Sequence, residues 1–307
     1  MSEIDLSVER RLQEVEEFFA EENPTYKQSI RAFRKLFSAA ERIRRRDPQF
    51  IKCNELAQQL IDQANNDSNI IGRALQVKLL LCPLYKPQES VSLFKKVKAI
   101  FPRLDSHSKE FLMQAFSKSI DGIALSSSRR SSQKLNDEEQ DLVFDIYKQA
   151  VDQNNSFVSS KASLSLHRIV NLCPTKVPEL LESFSLIAKS QTDQDLRLQE
   201  HIAKAMKALS DSVKAYISST ENVDQDELWN QYIDILEDLA RSQYRPAREL
   251  LAKRIHTIKD SVRQRPRVVI ACDKVIDQLR YDPSPRVCAS LHHGMRLMGV
   301  DQPRRFT

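Results

Sequence analysis

The sequence predicts an all-α protein, a stack of about seven helical hairpins, and three observations predict it. Glycine occurs only four times in 307 residues, at Gly72, Gly122, Gly294 and Gly299, whereas sheets and phosphate-binding loops need glycine at their turns. Apolar residues recur at spacings of three and four in one segment after another, the period of a helix with one buried face. Alanine returns at steps of 42, 41, 47, 43, 42 and 42 residues: Ala32, Ala74, Ala115, Ala162, Ala205, Ala247 and Ala289. A small residue at one place in each hairpin lets neighbouring helices approach closely. An apolar fraction of 41% with a mean hydropathy of −0.48 suits an extended stack, which keeps more surface wet than a sphere does.

Residues 2–21 read as an amphipathic helix with Val8, Leu12, Val15 and Phe19 on one face. Asn23-Pro24 stops it and starts the next, since Asn caps well and Pro at the first helical position gives up no needed hydrogen bond. That second helix runs to about Arg46, with Ile30, Phe33, Leu36 and Phe37 on its buried side. Asp47-Pro48 opens a third, containing Leu56, Leu60 and Ile61, and a polar break at 65–69 precedes a fourth. Lys86-Pro87 opens a helix through Val91, Phe94, Val97 and Ile100, which Phe101-Pro102 closes, and another spans about Ser106 to Leu125.

A serine- and arginine-rich loop, expected to be flexible, covers 126–135. It falls within the one long alanine step, where an insertion at a hairpin edge is tolerated. Helices resume near Asp137, Ser156, Thr175, Thr192, Asp224, Arg241, Arg265 and Asp282, about fourteen in all with no strand, and 301–307 reads as a frayed tail. The chain 1–307 reads as a single array.

Two helices per 40–47 residues is the period of HEAT and armadillo arrays. Asp282-Pro283-Ser284-Pro285-Arg286, followed by Ala289 and Leu291, resembles part of a HEAT repeat. The resemblance implies a right-handed α-solenoid in which an Asp and an Arg bridge neighbouring repeats while small and aliphatic residues pack. On it, Arg286 is expected to bridge to the preceding hairpin and Ala289 to be a packing point. The other copies carry Ser29, Ile71, Leu112, Ser159, Ile202 and Tyr244 where the last has Arg286, so the period covers the chain and the motif only its end.

Chemistry is harder to find. Four scattered glycines cannot form a P-loop or dinucleotide turn, and neither a G-x-S-x-G elbow nor H-E-x-x-H occurs. None of the six histidines precedes a glutamate, the dipeptide by which some HEAT proteins hold iron. Cys288, His292 and His293 share a helix without enough further ligands for zinc. No catalytic residue, metal site or cofactor is therefore expected. Trp229 falls on an apolar stripe and reads as core. Five widely spaced cysteines read as free thiols of a reducing, intracellular compartment, cytoplasm or nucleus. No segment has the roughly 20 apolar residues of a membrane span.

Charge supplies the candidate binding residues. From Arg241 onward the balance is +9, against −4 for the preceding 240 residues. Arg245, Arg248, Lys253, Arg254, Arg263, Arg265, Arg267 and Arg280 form the candidate basic surface, and Arg42, Arg44, Arg45 and Arg46 a smaller cluster. Ser131 and Ser132 follow Arg129-Arg130 in a pattern basophilic kinases accept, so phosphorylation there would place negative charge in a basic loop. The expected function is that of a non-catalytic scaffold or adaptor binding a protein partner, within a complex. Nucleic-acid phosphates on the C-terminal arginines are the alternative.

Overall fold

Short polar side chains decide where helices begin in this chain. The Asp67 carboxylate accepts from the amides of Asn69 (2.8 Å) and Ile70 (3.2 Å). Asn136 accepts from Glu139 N–H while Glu139 reaches back to Asn136 N–H, a reciprocal capping box. Thr192 and Asp224 each accept from the amide three residues on. Three helices without a side-chain cap have proline at the start instead: Pro246, Pro266 and Pro285.

The computed structural model describes residues 3–20, 26–43, 49–64, 67–85, 87–129, 135–153 and 155–298. Among the described residues there are fifteen α-helices and no strand. The chain divides into two compact units, Met1–Asp152 and Gln153–Thr307. The first contains α1 (Glu3–Phe19), α2 (Tyr26–Ala40), α3 (Gln49–Asp62), α4 (Ser68–Leu81), α5 (Pro87–Ile100), α6 (Ser106–Arg129) and α7 (Asp137–Val151). The second contains α8 (Ser156–Ser163), α9 (Leu166–Leu172), α10 (Val177–Lys189), α11 (Asp193–Ser219), α12 (Gln225–Arg241), α13 (Arg245–Ser261), α14 (Pro266–Arg280) and α15 (Pro285–Leu297).

Alternate helices pack on one another in each unit. In the first, α2, α4 and α6 form a row, α5 packs on α7, and α1 pairs with α2. In the second, α10, α12 and α14 form one row, and α11, α13 and α15 the other, with α8 and α9 against α11. The apolar stripes point between the rows: Phe94, Phe116, Phe184 and Tyr232 are fully buried, and Trp229 lies in the core at 4% exposure.

Three sequence expectations change. The helix expected from Ser156 is broken into α8 and α9 at Leu164 and Ser165, within a serine-rich run. Ser159 Oγ bonds back to the carbonyls of Asn155 and Ser156, the kind of local competition that weakens serine-rich helices. The loop expected at 126–135 starts late, because α6 continues through Arg129. Arg241, expected to start a helix, is the last residue of α12.

The alanine period is also looser than it reads. Second helices start at Tyr26, Ser68, Ser106, Ser156, Asp193, Arg245 and Pro285, at separations from 37 (Ser156 to Asp193) to 52 (Asp193 to Arg245). Six of the seven alanines are at most 4% exposed. Ala289 is not: it is exposed, and α15 buries Val287, Leu291 and Gly294 instead. Since α15 starts 40 residues after α13 (Arg245 to Pro285), a step of 42 overshoots by two residues. That is about 200° around a helix, enough to carry the alanine off the packed face.

Candidate functional site

The eight basic residues expected to form one C-terminal surface separate into three groups. Arg263, Arg265 and Arg267 sit at the turn into α14, where Arg265 lies 5.9 Å from the Trp229 ring centre and donates to Gln225 Oε1 at 3.3 Å. Arg267 faces Asp226 at 3.9 Å. Arg280 ends α14, one helix length or about 20 Å away, and pairs with Asp277. Near that end Arg245 starts α13 and pairs with Glu249 at 3.0 Å. Lys253 is exposed midway along α13, and Arg254 is half-buried, with burial pushing its guanidinium pKa down.

Arg248 is largely withdrawn from the surface. Its side chain is 14% exposed, and Nε and Nη2 grip the Asp282 carboxylate at 2.7 and 3.3 Å. Nη1 donates to the carbonyl of Ser242 at 2.5 Å. Arg286, expected to be the bridge to the preceding hairpin, is exposed. The bridge is made by the aspartate of the same motif, Asp282, with an arginine 34 positions earlier.

That ion pair ends a longer chain of hydrogen bonds. Gln199, fully buried on α11, donates to the carbonyls of Ile187 (2.9 Å), Ala188 (3.2 Å) and Ser190 (2.9 Å), and its Oε1 accepts from Ser242 Oγ. Ser242 Oγ accepts from Tyr244 N–H, as Ser190 Oγ does from Thr192 N–H and Asp282 Oδ1 from Ser284 N–H. A polar side chain two residues before the helix cap thus recurs at three alternate turns, those into α11, α13 and α15. Ser190-Gln191-Thr192, Ser242-Gln243-Tyr244 and Asp282-Pro283-Ser284 carry that signal in the sequence, which the alanine spacing obscured.

In the first unit, positive charge gathers where sequence reading did not place it. A cleft of about 490 Å³ between α1 and α2 is lined by Arg10, Arg11, Arg34, Lys35, Ser7 and Ser38, with Glu14 its one carboxylate. Arg10 and Lys35 both bind Glu14, and the hydrogen bond from Lys35 holds its carboxyl below the usual range. Arg11 donates to Ser38 Oγ, and Arg42 adds a fifth cation by donating to Ser7 Oγ at 2.8 Å. Among the described residues neither Arg11 nor Arg34 has a carboxylate partner. The dibasic pairs Arg10-Arg11 and Arg34-Lys35, one on each helix of a hairpin, are the signal that could have found it. Arg44, Arg45 and Arg46 lie outside the described residues, as do Ser131, Ser132 and the tail 301–307.

A second cavity of about 340 Å³ opens where α3, α4 and α5 meet. Asn54 Oδ1 accepts from Tyr85 Oη (2.6 Å) and Lys78 Nζ (3.1 Å), and burial pushes the Lys78 amine pKa down. Glu89 on the rim keeps this cavity nearer to neutral than the α1–α2 cleft. In the second unit, Ser160 Oγ lies 3.4 Å from His201 Nε2, and burial lowers that imidazole to about 4. The charge acting on it is Lys204, not a carboxylate that would orient a catalytic base. Cys53, Cys82, Cys173 and Cys272 are buried free thiols, and burial pushes Cys272 up to about 12. Cys288 is half-buried, its Sγ 3.4 Å from the Asp282 carbonyl, while His292 and His293 are exposed. Among the described residues no three His, Cys, Asp or Glu side chains converge as a metal site, and no helix is long and apolar enough to cross a membrane.

No family model and no curated protein matches the chain. Ten chains of solved structures match, among them an engineered protein solved by the Northeast Structural Genomics Consortium. It is 15% identical, with a TM-score of 0.40 over 96% of this chain and 98% of that one, a level that decides neither fold nor function.

Proposed function

We propose that the protein is a non-catalytic scaffold or adaptor, built from seven HEAT-like hairpins of a right-handed α-solenoid, that binds a protein partner within a complex. The observation that carries this reading is the stacking of alternate helices in each unit, pinned in the second by Gln199–Ser242 and Arg248–Asp282. Stacks of this kind offer long, fixed faces on which a partner can lie. Asp282 meeting an arginine of the preceding hairpin is also what the HEAT resemblance implies, with Arg248 in the role expected of Arg286. Free thiols fit an intracellular setting, cytoplasm or nucleus.

Affinity purification of the tagged full chain under gentle lysis, with cross-linking and mass spectrometry, tests the reading. A stable partner is the expected result, and a bare monomer would overturn it. Binding of nucleic-acid phosphates by the basic C-terminal repeats is the second reading, favoured by Arg263, Arg265 and Arg267 sharing one turn. It requires affinity that falls steeply with salt and weakens when those three are reversed in charge.

A further inference from the structure

We propose that the cleft between α1 and α2 is a phosphate-binding site that takes a phosphorylated serine or threonine of the partner protein. The inference rests on the scaffold reading and names the chemistry of what is bound. Four cations against one carboxylate leave the lining at about +3, and Glu14 is already occupied by Arg10 and Lys35. What remains is Arg11 and Arg34, one from each helix, without carboxylates among the described residues. A guanidinium fork matches a phosphate dianion better than a lone carboxylate. Arg11 is held in place by Ser38, and the Ser7 and Ser38 hydroxyls stand beside it.

The same geometry argues against a nucleic-acid strand. The cleft is compact, with cations on two facing helices rather than along a track, and none of its lining residues is aromatic for base stacking. A phosphate projecting from a partner's surface fits a cavity of about 490 Å³ that is open to solvent.

The test measures fluorescence polarisation with the full chain and a degenerate phosphoserine peptide pool. The same pool unphosphorylated, inositol hexakisphosphate, and single-stranded RNA of equal charge are the other arms. The phosphorylated pool is expected to bind at least about tenfold more tightly than the unphosphorylated one, the scale of one or two charge-assisted hydrogen bonds. Arg34→Glu should abolish the difference and Arg34→Lys keep part of it, while Arg263→Ala leaves it intact. Arg34 is exposed, so its replacement leaves folding undisturbed; Arg11→Ala, which also breaks the Ser38 contact, is read beside a circular dichroism spectrum.

Equal binding of both pools, an unchanged Arg34→Glu variant, tighter binding of the RNA, or binding of inositol hexakisphosphate without the peptide would each overturn the proposal. Partners that co-purify and stay bound after phosphatase treatment would leave the scaffold reading standing and remove this one. A chain that selects the phosphorylated pool yet yields no partner would do the reverse.

Discussion

Arg248 and Arg34 show two uses of the same side chain. Arg248 reaches from α13 to the turn between α14 and α15, with Nε and Nη2 on the Asp282 carboxylate and Nη1 on the Ser242 carbonyl. Arg34 stands on the outer face of α2, lining a cleft with four other cations near it and no carboxylate of its own among the described residues. Neither difference follows from local sequence, since both residues lie on amphipathic helices rich in cations. What separates them is whether the turn beyond the next helix delivers a carboxylate. Positive charge counted along a chain therefore overstates the surface wherever a repeat uses arginine to lock its neighbour. In the second unit that lock removes one of the eight expected binding residues.

The sharpest way to break the comparison is to remove the carboxylate. Asp282→Ala should leave Arg248 buried and uncompensated and destabilise the second unit by about 3 kcal/mol, measured by urea unfolding of the full chain. Asp282→Leu with Arg248→Met should recover most of that loss; no recovery would mean the pair is not the source. One hairpin earlier, Gln199→Leu strands the carbonyls of Ala188 and Ser190, while Ile187 keeps the Ser190 N–H, and should cost about 2 kcal/mol in the same assay.

At α15 the test separates the two small residues. A Cβ on Gly294 would stand 2.6 Å from the Lys253 carbonyl oxygen, backbone that cannot turn aside. Gly294→Ala should therefore cost about 1–3 kcal/mol, while Ala289→Leu on the exposed face changes stability by less than about 0.5 kcal/mol. The smallest expected effect is at Arg34. Arg34→Ala should leave the unfolding midpoint within about 0.5 kcal/mol of the parent, and a larger loss would show that it has a structural partner like Arg248.

These contrasts also say what was legible beforehand. Helix starts at Asp137, Ser156 and Pro285 follow from caps and prolines that act within one turn, so the sequence displays them. Pairing across hairpins is another matter. Arg248 meets a residue 34 positions away, and the α1–α2 cleft needs the polar edges of two helices to meet in one register. Apolar periodicity fixes which face of a helix is inside but leaves its rotation and slide against a neighbour to side-chain packing. Ala289 is the cost of ignoring that: a spacing right on average and wrong by two residues puts a packing alanine in water.

The hydrogen-bonded turns lie at the starts of α11, α13 and α15, and the far end of α13 is tied to α11 as well: Ser261 Oγ lies 3.0 Å from Ser210 Oγ, and the Ser261 carbonyl accepts from Lys214 Nζ. The three run for 27, 17 and 13 residues from that common margin. Such a stack resembles a book bound at the spine and stitched once more across two pages: only the paper beyond the stitch can differ in width without disturbing their order. Length changes should thus accumulate where α11 runs past Lys214 to Ser219, giving the second unit a stepped outline there. Residues grafted onto the end of α11 would alter that relief while leaving both ties intact.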